Sequence, residues 1–70
     1  KDYKTVLQEI LQKNGNVIIG NEIINEKGPD HEKVFTAEVK LNGKVLATGV
    51  GKSKKLAEME AAKKALNEFE

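Results

Sequence analysis

Residues 49–66 read GVGKSKKLAEMEAAKKAL. This stretch predicts a strand that runs directly into a helix, because Ser53 is a good N-cap and the helix can begin at Lys54. Lys52, Lys54 and Lys55 then lie at a helix N-terminus, where the helix dipole disfavours cations. Free amide groups, the helix dipole and three ammonium groups together favour a bound phosphate. The alternative is an ordinary solvated helix start, because exposed lysines there would destabilise the helix by only about a few tenths of a kcal/mol.

The charge along the chain is unevenly distributed. Twelve basic residues, all lysine, and eleven acidic residues give a net charge of +1. Residues 39–57 nevertheless contain five lysines and no acid, whereas residues 1–38 contain five lysines and seven acids. Basic charge concentrated in one region is typical of a nucleic-acid-binding surface.

Length and composition indicate one small domain, which we expect to span residues 1–70. The chain has no cysteine and one histidine, so a disulfide or a cysteine-based metal site is excluded. No apolar run approaches the roughly 20 residues that span a bilayer, and the start shows no signal-peptide pattern. We therefore expect a cytoplasmic protein that has no membrane partner.

An amphipathic helix is predicted at the start of the chain, where Asp2 can cap it and Asn14-Gly15 can end it. Its apolar stripe repeats at helical spacing and consists of Tyr3, Val6, Leu7, Ile10 and Leu11. Its polar face consists of Thr5, Gln8, Glu9 and Gln12. Composition alone favours an ordinary wet face, but such groups could also meet the 2′-hydroxyls and base edges of an RNA minor groove.

Three strands are predicted in the middle of the chain, approximately at residues 18–26, 34–41 and 44–50. Gly28-Pro29-Asp30 is typical of a turn, and Asn42-Gly43 predicts a type I′ hairpin.

The last helix, at about residues 54–69, should turn one face inward: Ala57, Ala61, Ala62, Ala65, Leu66 and Phe69. The fold class is therefore α+β in the order α-β-β-β-α. Both helices should cover one face of a three-stranded antiparallel sheet, and the other face should be solvated.

The sequence gives little support for nucleotide binding, metal binding or catalysis. Gly51-Lys52-Ser53 imitates the end of a nucleotide-binding P-loop, but that motif needs a glycine where the chain has Leu46. His31, in the first interstrand turn, is flanked by two acids and could contact a sugar edge but does not favour phosphate binding. The carboxylates form no recognisable acid–base or metal constellation, so no catalytic residue is predicted.

The chain closely resembles the double-stranded-RNA-binding domain family over nearly all of its length. The family's Gly-Pro-x-His turn matches residues 28–31, and Phe35 and Val39 match core positions of its second strand. Its most diagnostic stretch matches residues 49–66, and the first helix is most similar to that of the C-terminal domain in bacterial ribonuclease III. Glu58 also favours that subfamily, since many other members carry a basic residue there.

The resemblance implies a three-part contact with double-stranded RNA that reads A-form shape over about 16 base pairs. The first helix would enter one minor groove, the turn would enter the next, and the lysines would bridge the phosphates between them. The residues implied are Thr5, Gln8, Glu9, Gln12, Pro29, Asp30, His31, Lys52, Ser53, Lys54 and Lys55.

The resemblance also implies that the parent protein is a ribonuclease III, a homodimer that processes rRNA and mRNA precursors with magnesium in a separate catalytic domain. We expect this chain to be monomeric, to hold no cofactor and to bind RNA without cleaving it. Two alternatives stay open at this point: a protein-interaction module of the same fold that dimerises, and a generic basic DNA-binding domain.

Overall fold

The computed structural model describes residues 2–13, 15 and 17–68. Its five elements follow the predicted order and are α1 (Tyr3–Gln12), β1 (Ile19–Lys27), β2 (Val34–Leu41), β3 (Lys44–Gly51) and α2 (Lys54–Asn67). The predicted strands therefore shift by only one residue at their ends. Asn14 and Phe69, which the sequence analysis assigned to the end of α1 and the inward face of α2, lie outside the described residues.

The sheet is antiparallel with strand order β1-β2-β3. Leu41 pairs with Lys44 across the predicted two-residue turn, and both turn residues have the positive φ that a type I′ turn requires: 52° at Asn42 and 84° at Gly43. The register shifts between Ile23 and Asn25, which leaves one residue of β1 without a partner on β2.

One core joins both helices to one face of the sheet. Its buried residues are Leu7, Leu11, Ala37, Val39, Ala57, Ala61, Ala62, Ala65 and Leu66. The alanines of α2 are the predicted inward face of that helix, and each is fully excluded from solvent. The α-β-β-β-α fold with both helices on one side of the sheet is therefore confirmed.

The opposite face of the sheet carries charge. Lys40 on β2 lies 3.2 Å from a carboxylate oxygen of Glu22 on β1 and 3.3 Å from one of Glu38 on its own strand. Hydrogen bonds to Glu22 and then Glu38 raise the pKa of the Lys40 ammonium. This face thus exposes a lysine held by two acids, beside the exposed side chains of Val45 and Val50.

Helix α2 lies unusually close to β3, because two glycines of that strand face it. A Cβ atom at Gly49 would lie 2.6 Å from the carbonyl carbon of Glu60 and 2.7 Å from the carbonyl oxygen of Ala57. A Cβ at Gly51 would lie 2.6 Å from the amide nitrogen of Ala57. The helix backbone therefore rests on the strand backbone at positions where no side chain fits.

We predict that Gly49→Ala costs more than about 2 kcal/mol of unfolding free energy, because its methyl group would meet rigid backbone. Gly20→Ala on β1 is the matched control, since its Cβ would lie an ordinary 3.9 Å from the Cβ of Lys40. Urea denaturation of both variants measures the difference. Equal stability of the two variants would contradict the close packing of α2 on β3.

Candidate nucleic-acid interface

The N-terminus of α2 presents three exposed lysines, Lys52, Lys54 and Lys55, which we call the lysine cluster. Ser53 caps the helix as predicted: it has extended backbone angles and its Oγ accepts a 3.0 Å hydrogen bond from the amide of Leu56. No acidic residue occupies the first turn. Because Ser53 is the cap, α2 begins within the lysine cluster. The positive end of the helix dipole therefore lies next to the three ammonium groups.

The turn between β1 and β2, residues 28–33, is held by contacts within its own backbone. Gly28 has φ of 98°, and a Cβ there would lie 2.6 Å from the carbonyl oxygen of Glu32. The amide of Glu32 donates a 2.9 Å hydrogen bond to the carbonyl of Pro29, which closes the turn. Asp30 and His31 at its tip are exposed, so both can reach a ligand.

An ion pair holds the base of this turn. The Lys33 ammonium donates a 2.8 Å hydrogen bond to Glu26 and lies 3.9 Å from Asp30. The hydrogen bond from Lys33 lowers the pKa of the Glu26 carboxyl, and Lys54 lowers it further through its charge. The base of the turn is therefore close enough to the lysine cluster for the charge of Lys54 to act on the Glu26 carboxyl.

A depression of about 540 Å³ lies between the 28–33 turn and the start of α2. His31, Phe35 and Lys52 are among the residues that line it. The Lys54 ammonium lies over the Phe35 ring, 6.0 Å from its centroid, within the range of a cation–π interaction. The aromatic ring therefore helps to fix the direction of a lysine that is otherwise free in solvent.

The start of α1 approaches the lysine cluster from the other side. Lys4 forms an ion pair of 3.1 Å with Glu58 of α2, and Asp2, Lys55 and Met59 line the same depression of about 380 Å³. The pair joins the two helices where their polar faces meet. It also gives the Glu58 carboxylate, three residues after Lys55 on α2, a lysine partner from α1.

The polar face of α1 extends away from this junction. Thr5 lies next to the junction, whereas Gln12 lies seven residues further, about 10 Å along the helix axis. Thr5, Glu9 and Gln12 are exposed, and Gln8 is half-buried. Glu9 and Gln12 border a separate shallow depression with Lys13.

The structure brings the lysine cluster next to the 28–33 turn and to the start of α1, whereas the predicted α1 residues Thr5, Gln8, Glu9 and Gln12 line neither of those two depressions. Lys52 borders the 28–33 turn, and Lys55 borders the start of α1. Sequence reasoning missed two contributions, those of Phe35 and of the Lys4–Glu58 pair. The only available signal for the pair was Glu58 itself, an acid in a position where many related domains carry a basic residue.

Among residues 2–13, 15 and 17–68, no group of three or more histidine, cysteine or carboxylate side chains is placed to hold a metal ion. No helix formed by those residues is both long and apolar enough to span a bilayer.

Comparison with known proteins identifies the class. The family model described as "Double-stranded RNA binding motif" matches residues 3–69. A protein named Ribonuclease 3 from Carboxydothermus hydrogenoformans is 62% identical over 66 residues, which cover 94% of this chain and 28% of the relative. A protein of the same name from Streptococcus pyogenes serotype M5 (strain Manfredo) is 59% identical over 66 residues, which cover 94% of this chain and 29% of that relative.

Solved structures agree with this class. The second double-stranded-RNA-binding domain of DRB4 is 41% identical, has a TM-score of 0.62, and the match covers 96% of this chain and 93% of that one. The structure of both DRB4 domains with their linker gives a TM-score of 0.64 at 41% identity, covering 96% of this chain and 43% of that one.

The chain belongs to the double-stranded RNA binding motif family, and its function is to bind double-stranded RNA. It spans slightly under three tenths of the length of the Ribonuclease 3 relatives. The resemblance noted in the sequence is thereby confirmed at the level of the family.

Proposed function

We propose that this chain is the substrate-binding domain of a bacterial ribonuclease III, and that it recognises the shape of double-stranded RNA. The similarity to the Ribonuclease 3 proteins supports the parentage. The observation that carries the mode of binding is the junction at α2, where the lysine cluster lies between the start of α1 and the 28–33 turn.

The geometry suggests how the three regions share the RNA. The polar face of α1 enters one minor groove, and the tip of the 28–33 turn enters the next. The lysine cluster between them faces the phosphates that border the intervening major groove. Because no side chain in this arrangement reads the major groove, recognition depends on A-form geometry rather than on sequence.

Two energetic contributions separate in this mechanism. Lysine–phosphate contacts supply affinity that weakens with salt, because each contact releases counterions. Contacts from Thr5, Gln8, Glu9, Gln12 and the turn to ribose hydroxyls distinguish RNA from DNA, since only RNA carries the 2′-hydroxyl. Each contribution can be removed separately by substitution.

The lysine contribution is tested by Lys54→Ala combined with Lys55→Ala. With about three phosphate contacts, the slope of log affinity against log salt should be about −2 to −3 for the unmodified chain and close to −1 for the double variant. Lys44→Ala combined with Lys64→Ala removes two exposed lysines elsewhere and should leave the slope unchanged. Fluorescence anisotropy over a salt series measures it, and equal slopes for both double variants would exclude these lysines from the interface.

The hydroxyl contribution is tested by Gln8→Ala combined with Gln12→Ala. We expect the ratio of RNA affinity to DNA affinity, for duplexes of one sequence, to fall about fivefold or more, since each net hydrogen bond is worth about 0.5–1.5 kcal/mol. Asn67→Ala, which removes an exposed amide at the far end of α2, should leave the ratio unchanged. A parallel loss of RNA and DNA binding would show that α1 does not carry the discrimination.

We further propose that the chain does not itself cleave RNA, and that magnesium serves a catalytic domain elsewhere in the parent protein. The proposal is supported by the lack of a carboxylate constellation in the sequence. Incubation of the purified chain with labelled double-stranded RNA and Mg²⁺ should give intact RNA on a denaturing gel. Cleavage that co-purifies with the chain and is abolished by chelation would overturn this part of the proposal.

A further inference from the structure

Thr5 on the polar face of α1 is hydrogen-bonded to a neighbouring side chain. Its hydroxyl oxygen lies 2.8 Å from Oδ2 of Asp2. The other oxygen of the same carboxylate, Oδ1, accepts the amide hydrogens of Lys4 at 3.1 Å and of Thr5 at 3.4 Å. Asp2 is therefore both the N-cap of α1 and the hydrogen-bond partner of the Thr5 side chain.

The direction of the Thr5–Asp2 hydrogen bond follows from the charge of the partner. An ionised carboxylate can only accept hydrogen bonds, so the hydrogen between the two side chains must come from the Thr5 hydroxyl. Asp2 is ionised at neutral pH as an ordinary aspartate is, and the hydrogen bond from the Thr5 side chain is the main cause that lowers the pKa of its carboxyl further. The Thr5 oxygen consequently offers only lone pairs to solvent or to a ligand.

The carboxylate of Asp2 is a favourable helix cap, but its charge is unfavourable beside a phosphate-binding surface. Asp2 borders the depression that Lys4 and Lys55 also line, where a negative charge opposes the attraction of phosphate. Serine or asparagine would cap the helix about as well without that charge. Neither would fix the Thr5 hydroxyl, because each can donate as well as accept.

We propose that Asp2 is a positioning residue that restricts Thr5 to accepting hydrogen bonds, so that Thr5 selects a hydrogen donor in the RNA minor groove. The donor we assign is the ribose 2′-hydroxyl, which DNA lacks. Guanine carries the other donor of a minor groove, its 2-amino group, whereas A·T-type pairs present only acceptors there. This inference rests on the proposed function, since it requires α1 to lie in the minor groove.

The test compares two duplexes built from A–U pairs alone, which removes the guanine amino group. One carries ordinary 2′-hydroxyls and the other carries 2′-fluoro groups, which keep the A form but cannot donate a hydrogen. The quantity measured is the ratio of the two dissociation constants for each protein variant. This ratio is insensitive to general changes in phosphate attraction, which affect both duplexes alike.

Thr5→Val removes the acceptor, so we expect the preference for the hydroxyl duplex to shrink about 2- to 10-fold. Asp2→Asn keeps the cap, but its amide nitrogen can donate to Thr5 and turn the threonine hydrogen outward. We therefore expect Asp2→Asn to lose the same share of the preference even though Thr5 is unchanged. Thr5→Ser keeps the hydroxyl and should keep the full preference.

Thr48→Val is the matched control, because it makes the same chemical change on the exposed outer face of the sheet and should leave the ratio unchanged. Circular dichroism of Asp2→Asn should show undiminished helix content, since asparagine caps as well as aspartate.

The possible results separate the two levels of the proposal. If Thr5→Val lowers the preference while Asp2→Asn keeps it, Asp2 does not set the polarity of Thr5, but the placement of α1 in the minor groove stands. If Thr5→Val also keeps the preference, Thr5 selects no donor and the inference is wrong. If, in addition, the Thr5→Val and Gln8→Ala variants each bind the hydroxyl duplex with the affinity of the unmodified chain, α1 does not lie in the minor groove and the proposed mode of binding is wrong as well.

Discussion

The close contact between the backbones of α2 and β3 is the constraint on which the rest of this small domain depends. Gly49 and Gly51 leave no side chain between strand and helix, and the buried face of α2 is built from alanines. Larger residues on either side would push the helix outward. Because Lys54 begins α2 three residues after Gly51, this contact also fixes where the lysine cluster stands relative to the sheet.

Charge separation is the second consequence of the fold. The net charge of +1 conceals a division, because two acids beside the lysine cluster have lysine partners from elsewhere in the chain. Glu58 is paired with Lys4, and Glu26 is paired with Lys33. The ion pairs are exposed enough that each adds little stability, about 0–1 kcal/mol. Their larger effect is to leave the exposed ammonium groups of the cluster as the charges that a phosphate backbone meets first.

The sequence predicted the elements whose signals are local. The Ser53 cap, the alanine face of α2 and the Asn42-Gly43 hairpin each depend on residues within a few positions of one another. The shift of register after Ile23 was not predicted, because two successive β-branched residues fit a strand equally well with or without a bulge.

The candidate site likewise has features that local sequence predicts and contacts that it does not. The lysines could be assigned to one helix end from their spacing alone. The Lys4–Glu58 pair joins residues 54 positions apart, and Lys54 meets Phe35 only once the sheet has formed. Such contacts depend on tertiary packing, which no periodicity in the sequence records. Phe35 was interpreted as a core residue, and it does pack against the core while its ring also faces Lys54.

We propose that the polar face of α1, the 28–33 turn and the lysine cluster act together as one surface for double-stranded RNA. Titration of the isotopically labelled chain with an RNA duplex, followed by amide chemical shifts, tests it most directly. We predict the largest shifts in α1, in residues 28–33 and in residues 52–55, and small shifts around Glu38 and Thr48 on the outer face of the sheet. Large shifts on that outer face, with α1 and the turn unaffected, would contradict it.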